Sequence, residues 1–310
     1  MEKVISSGKY DLIADVSTFY HPASAGCKEY VLECVRHYDP SNMYSQEGWF
    51  GILANWGFGY GFIAGPEASM HYKFNTTSGY SYFNPSKSLY DAFVAEEGAD
   101  GYRLNAWIRT WEQVIAMNIA VNTTTNKYAS EGYFRLKWLA STDDEFVGYW
   151  CGNQSNTPVI RYADVLLMAA EACLQAGDQA GADEYLGRVR DRARLPRKSH
   201  VTLSDIKLER RLELAMEGMR FQDLKRWGDA PAVLADKGKK LPTFQIVPDP
   251  NNDLTTAAGI YNARYTTKTT YVDNEKSLAG WTPNRDEWLP FPENELEVKI
   301  TSMELLPDVK

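Results

Sequence analysis

The sequence predicts a fold that combines a helix pair and a charged helix with a long structured loop and short strands. Three stretches carry that expectation. Apolar residues recur at helical spacing through 158–194, and a charge-dense stretch with the same period runs from Glu209 to Gly228. From Tyr44 to Pro85, by contrast, glycine and aromatic residues alternate with no lasting period of 3.6 or 2.0.

Composition bounds the function. The 310 residues could form one large domain or two, and can bury a substantial core. Nine Trp and nineteen Tyr are more amphipathic aromatic surface than one core uses. A net charge of −8 argues against nucleic acid or an anionic membrane face as the main partner. Cys27, Cys34, Cys151 and Cys173 have no metal-ligand spacing, and pairing of Cys27 with Cys34 stays open. No cofactor motif is present, and His21, His37, His71 and His200 are scattered without a zinc or triad signature.

In chain order, Met1–Gly8 reads as the closing turns of a helix with a glycine cap, so the start of that helix is expected upstream. Lys9–Ala25 is irregular, and 29–35 is a short strand. After the aromatic run, Asn84–Phe93 forms a short helix capped by Asn84 or Ser86. Trp107–Val121 is apolar and of open type, and 122–157 is a polar excursion broken by Tyr133–Trp138. Ile160, Ala163, Leu166, Leu167, Ala170 and Leu174 line one helix stopped by Gly177; Ala182, Tyr185, Leu186 and Val189 line the next. Together they resemble a tetratricopeptide-type helix pair. Thr202 with Asp205 caps the following helix, and Tyr261–Tyr271 alternates like a strand.

That following helix is read as running through Glu209–Gly228. Leu208, Leu212, Ala215 and Met219 make one apolar line; Leu214, Phe221 and Leu224 make a second. Glu213, Glu217, Arg220, Asp223 and Trp227 form its structural motif, with the pairs Arg210–Glu213, Glu217–Arg220 and Arg220–Asp223 three residues apart. Such pairing keeps carboxylates ionised and argues against acid catalysis. Gly218 in a helix interior costs about 1 kcal/mol, so it is expected to admit a neighbour or a bend.

Four stretches, in order and nearly spanning the chain, resemble the SusD/RagB family. They are Val4–Leu12, Ile160–Ala172, Glu209–Gly228 and Leu289–Leu296. Lys299 lacks the following Pro of many family tails. The resemblance implies a mainly α-helical fold with tetratricopeptide-like helix pairs supporting a loop-rich region with short strands. The resemblance further implies that 1–310 is a single domain, the C-terminal portion of a cell-surface lipoprotein of the outer membrane, its N-terminal helices, signal and lipid-bearing Cys lying upstream. It also implies non-catalytic capture of a glycan and delivery to a SusC-like TonB-dependent transporter.

Sugar binding needs flat aromatic faces and hydrogen-bonding partners for hydroxyls. Trp49, Trp56, Tyr60, Tyr80 and Tyr82 offer faces; Asn55, Asn75 and His71 offer partners. A glycoside hydrolase using Asp143 and Glu97, or a peptide-binding helix scaffold, is the alternative. Asp143–Glu145 and Glu96–Glu97 are read as solvated faces, and Asp249, Asn251 and Asp253 as an Asx-rich turn, since Leu254 and Ile260 break a calcium-loop pattern.

Overall fold

The computed structural model describes residues 1–35, 84–116, 127–128, 131–137, 156–253, 255–256, 259, 264–274 and 279–288. The chain forms two compact units, one of Met1–Arg220 and Leu241–Val272, the other of Phe221–Lys240 and Asp273–Lys310.

The first unit opens with α1 (Glu2–Ile5), after which Gly8 takes the left-handed conformation (φ 64°) expected of its cap. Two single 3₁₀ turns, Val16–Thr18 and Pro22–Ser24, lead to β1 (Tyr30–Cys34). Next come α2 (Lys87–Glu97), α3 (Tyr102–Trp107), β2 (Ile108–Thr110) and α4 (Trp111–Ala116). The Ser86 hydroxyl accepts from Leu89 N, which starts α2 as the sequence suggests. The apolar run after Trp107 is thus a short strand and a helix. Strands β3 (Lys127–Tyr128), β4 (Tyr133–Arg135) and β5 (Thr157–Arg161) follow.

The helix pair is α5 (Tyr162–Gln175) and α6 (Gln179–Arg192). Its facing residues Ala163, Leu166, Leu167 and Ala170, and Ala182, Leu186 and Val189, are fully buried; each large one contributes about 1.5–3 kcal/mol. Between the helices Gly177 adopts φ 80°, and the Asp178 carboxylate receives Gly181 N to start α6. Ile160 departs from the expected helix. Arg161 is extended, Tyr162 N donates to Glu29 O, and β5 pairs antiparallel with β1, Tyr30 facing Arg161 and Cys34 facing Thr157.

The charged stretch also departs from the expectation of one helix. It is α7 (Leu203–Glu213), a turn over 214–218, and α8 (Met219–Arg226), with α9 (Ala230–Val233) beyond. The Thr202–Asp205 capping box forms as expected. The break has a tertiary cause: Lys137 Nζ donates to the carbonyls of Glu213 and Ala215, and an Arg161 N–H donates to Glu213 O. These cations satisfy helix-end carbonyls that another turn would otherwise occupy. Gly218 has φ 81°, and no atom lies within 4 Å of the place a Cβ would take, so it serves a backbone turn and no close approach.

Strands β6 (Lys240–Pro248) and β7 (Tyr265–Asp273) complete the described elements, the sheet order being β3–β6–β7. Among the described residues the first unit's core includes two clusters. One gathers Phe19, Tyr20, Phe93, Leu104, Trp107 and Leu212; the other is built on the helix pair with Val201 and Ile206.

Candidate functional site

The residues expected to bind sugar, Trp49, Asn55, Trp56, Tyr60, His71, Asn75, Tyr80 and Tyr82, lie outside the described residues, as do Asp143–Glu145. What is described is the framework on either side of 36–83. On the approach, Glu33 accepts from Asn156 Nδ2 at 3.0 Å, and Cys34 faces Thr157. Cys34 and Asn156 therefore lie at the same end of the β1–β5 ribbon. On the return, Glu131 accepts from Lys87 N with one oxygen and from the Tyr271 hydroxyl with the other, both at 2.6 Å. The first turn of α2 is fixed by that contact to β7.

Behind these anchor points runs a continuous network of buried charge. Arg161, at the end of β5, donates through Nε and Nη2 to the two oxygens of Glu217, at 2.8 and 2.7 Å. Its Nη1 reaches Glu29 and Glu213. This is the two-pronged geometry that only a guanidinium supplies. Arg192 bridges the same Glu29 and Glu213, and Ile13 N adds a third donor to Glu29. Arg103, in α3, binds Glu97, Glu209 and Glu213. Arg190 joins Glu209 to Glu96, which Lys198 links to Asp205. Lys137 lies 3.7 Å from the Trp107 ring centroid while donating to Glu217, and Arg161 lies 4.7 Å from that of Phe19.

Burial and charge compete at each member. Burial alone would raise Glu213 and Glu217; the guanidiniums around Glu213, and Arg161 with Lys137 beside Glu217, instead hold both below the usual carboxylate range. For Glu29 and Glu97 burial wins, and both are raised despite their arginines. Burial pushes Lys137 down to about 8 against the opposing pull of Glu217. The side chains of Arg103, Glu97 and Glu213 are 0% exposed. A substrate cannot touch these three as they stand, so this part of the network organises structure.

Several expectations change. Glu213 and Glu217 are paired with cations of other elements, in place of Arg210 and Arg220 in their own stretch; Arg210 reaches Asp164 instead. Glu97 is buried on Arg103, and Glu96 sits on Arg190 and Lys198, so Glu96–Glu97 is no solvated face. Asp223 receives Arg226 at 2.9 Å, and Arg226 stacks 4.4 Å from the Trp227 ring centroid. Asp249 and Asp253 accept from Asn251 N and Thr255 N as Asx turns do. Cys27, Cys34 and Cys173 are free thiols. Among the described residues there is no metal-binding cluster of His, Cys, Asp and Glu. Nor is any helix there long and apolar enough to cross a membrane.

Sequence reasoning missed Glu29, Arg103, Lys137, Arg161, Arg190 and Arg192. One signal was available: Arg161, Asp164 and Lys137 interrupt otherwise apolar or aromatic runs, where an unpaired charge would be costly.

The SusD family profile matches residues 28–304, and the chain belongs to that family. A SusD-like protein of Bacteroides ovatus is 42% identical over 77 residues, 23% of this chain and 14% of that protein. Among solved structures, surface glycan-binding protein A from Bacteroides thetaiotaomicron in complex with laminarihexaose superposes with a TM-score of 0.63. It is 23% identical, over 96% of this chain and 56% of that one. A laminarin-binding SusD-like protein gives a TM-score of 0.58 at 28% identity, over 74% of this chain and 48% of that one. The chain therefore spans about half the length of these solved relatives.

Proposed function

We propose that this chain binds oligosaccharide without cleaving it, at the cell surface, and passes it to a SusC-like TonB-dependent transporter in the outer membrane. A lipid anchor upstream of Met1 would hold it there. The observation that carries this reading is the framework itself. The aromatic segment 36–83 starts and returns on β1 and α2, both tied into the buried ion network. Membership in the SusD family and the glycan-binding descriptions of its relatives support it.

In this reading Trp49, Trp56, Tyr60, Tyr80 and Tyr82 cover sugar faces, while Asn55, Asn75 and His71 bond hydroxyls. The 209–228 stretch is a brace. Millimolar affinity, only about −4 kcal/mol, suffices for a ligand that must be handed on. Calorimetric titration with laminarihexaose tests it: Trp49→Ala or Trp56→Ala should weaken binding at least tenfold with the fold retained. Unchanged isotherms in both variants would place the site elsewhere. Release of new reducing ends on incubation with polysaccharides would replace capture with hydrolysis, and Glu97, buried on Arg103, would have to come free for that.

A further inference from the structure

The second unit carries a cation treated unlike those of the buried network. Phe221 and Lys225 lie one helical turn apart on α8. Lys225 Nζ sits 5.3 Å from the Phe221 ring centroid and 5.9 Å from that of Trp288, and forms no ion pair among the described residues. Phe221 packs in turn against Trp281, with centroids 6.4 Å apart. The neighbouring charges are mostly spent. Asp223 receives Arg226, and Asp286 is held by Arg285 and by Thr282 N. Among the described residues Glu287 keeps one carboxylate oxygen, and Trp281 its indole N–H, without a hydrogen-bond partner.

Trp288 is 75% exposed. An indole buries about 150–250 Å² when packed, and each Å² is worth about 25 cal/mol. Leaving it in water therefore forgoes several kcal/mol that folding alone would collect. A flat ring in water with an ammonium 5.9 Å from its centroid, unpaired among the described residues, has the two features that recognise a charged sugar. The ring covers a C–H face, and the ammonium meets a negative substituent.

We propose that Trp288 and Lys225 form a second glycan contact, selective for sugars bearing a negative charge, either a uronate carboxylate or a sulfate ester. The proposal rests on the reading of the chain as a glycan binder, but its residues are separate from those of the 36–83 segment.

The test is calorimetric titration of the 310-residue chain with an oligogalacturonate, with a sulfated galactan oligosaccharide, and with laminarihexaose as the neutral control. At least one anionic probe should bind, with the two arms telling carboxylate from sulfate. Trp288→Ala and Lys225→Met should each weaken that probe fivefold or more and leave laminarihexaose unchanged. Lys225→Arg should retain it. Raising salt should weaken the wild type more steeply than Lys225→Met. Absence of binding by both anionic probes, or anionic isotherms unaltered by both substitutions, would overturn the proposal. Loss of laminarihexaose binding alone would count against the primary site and not against this one.

Discussion

The α5–α6 hairpin and the turn between α7 and α8 each turn one side to the interior, and they are held in opposite ways. The hairpin closes on Leu166, Leu167, Leu186 and Val189, which need only fit together. The turn closes on Arg161, Lys137, Glu213 and Glu217, each of which needs a specific partner at a specific angle. Apolar packing tolerates exchange of shape at fixed volume. A buried ion network tolerates almost nothing, because removing one member strands the others in a poor solvent for charge. The difference teaches where the chain has concentrated its specificity. It lies along the path that joins β1, β5, α2 and α7, of which β1 and α2 flank the aromatic segment in sequence.

Two substitutions would break or sharpen that contrast most. Arg161→Met leaves Glu29, Glu213 and Glu217 short of donors and should cost about 3–5 kcal/mol by denaturant unfolding; Arg161→Lys should recover little, since a lysine cannot fork onto Glu217. In the hairpin, Leu166→Ala should cost about 2–5 kcal/mol, but Leu166→Met less than about 1.5. If Arg161→Lys were as mild as Leu166→Met, the contrast between the two regions would be wrong.

A smaller effect sits at the entrance to α7. The Asp205 carboxyl lies in the capping box with Thr202 and Lys198; burial would raise it, but those hydrogen bonds bring it from 3.8 to about 2. Because the folded value is the lower one, this stability is present above about pH 3.8 and is lost as pH falls towards 2. Thr202→Ala should cost about 1 kcal/mol at neutral pH, and the gap from wild type should narrow across that acid window in thermal melts. A gap independent of pH would detach Asp205 from the cap.

The contrast also explains what the sequence made legible. The hairpin, the Thr202–Asp205 cap and the Ser86 cap depend on neighbours within a turn or two, and periodicity or spacing exposes them. The break at 214–218 depends on Lys137 and Arg161, far away in sequence, so local pattern reads 209–228 as one helix with internal pairs. The same remoteness hid Glu29 and Arg103. The candidate sugar-binding aromatics were legible only as composition, since a segment without a period carries no register from which to place side chains.

The central claim is that the charged stretch braces and the aromatic segment binds. Glu217→Gln addresses it most directly, because it removes a charge facing Arg161 and Lys137 while keeping the side chain's shape. The decisive measurement is the laminarihexaose isotherm of this variant, taken below its unfolding transition and set beside its melting temperature. The account predicts a lowered melting temperature with a dissociation constant within about twofold of wild type, less than about 0.5 kcal/mol. An unchanged melting temperature with tenfold weaker binding would put the binding chemistry in the charged stretch itself.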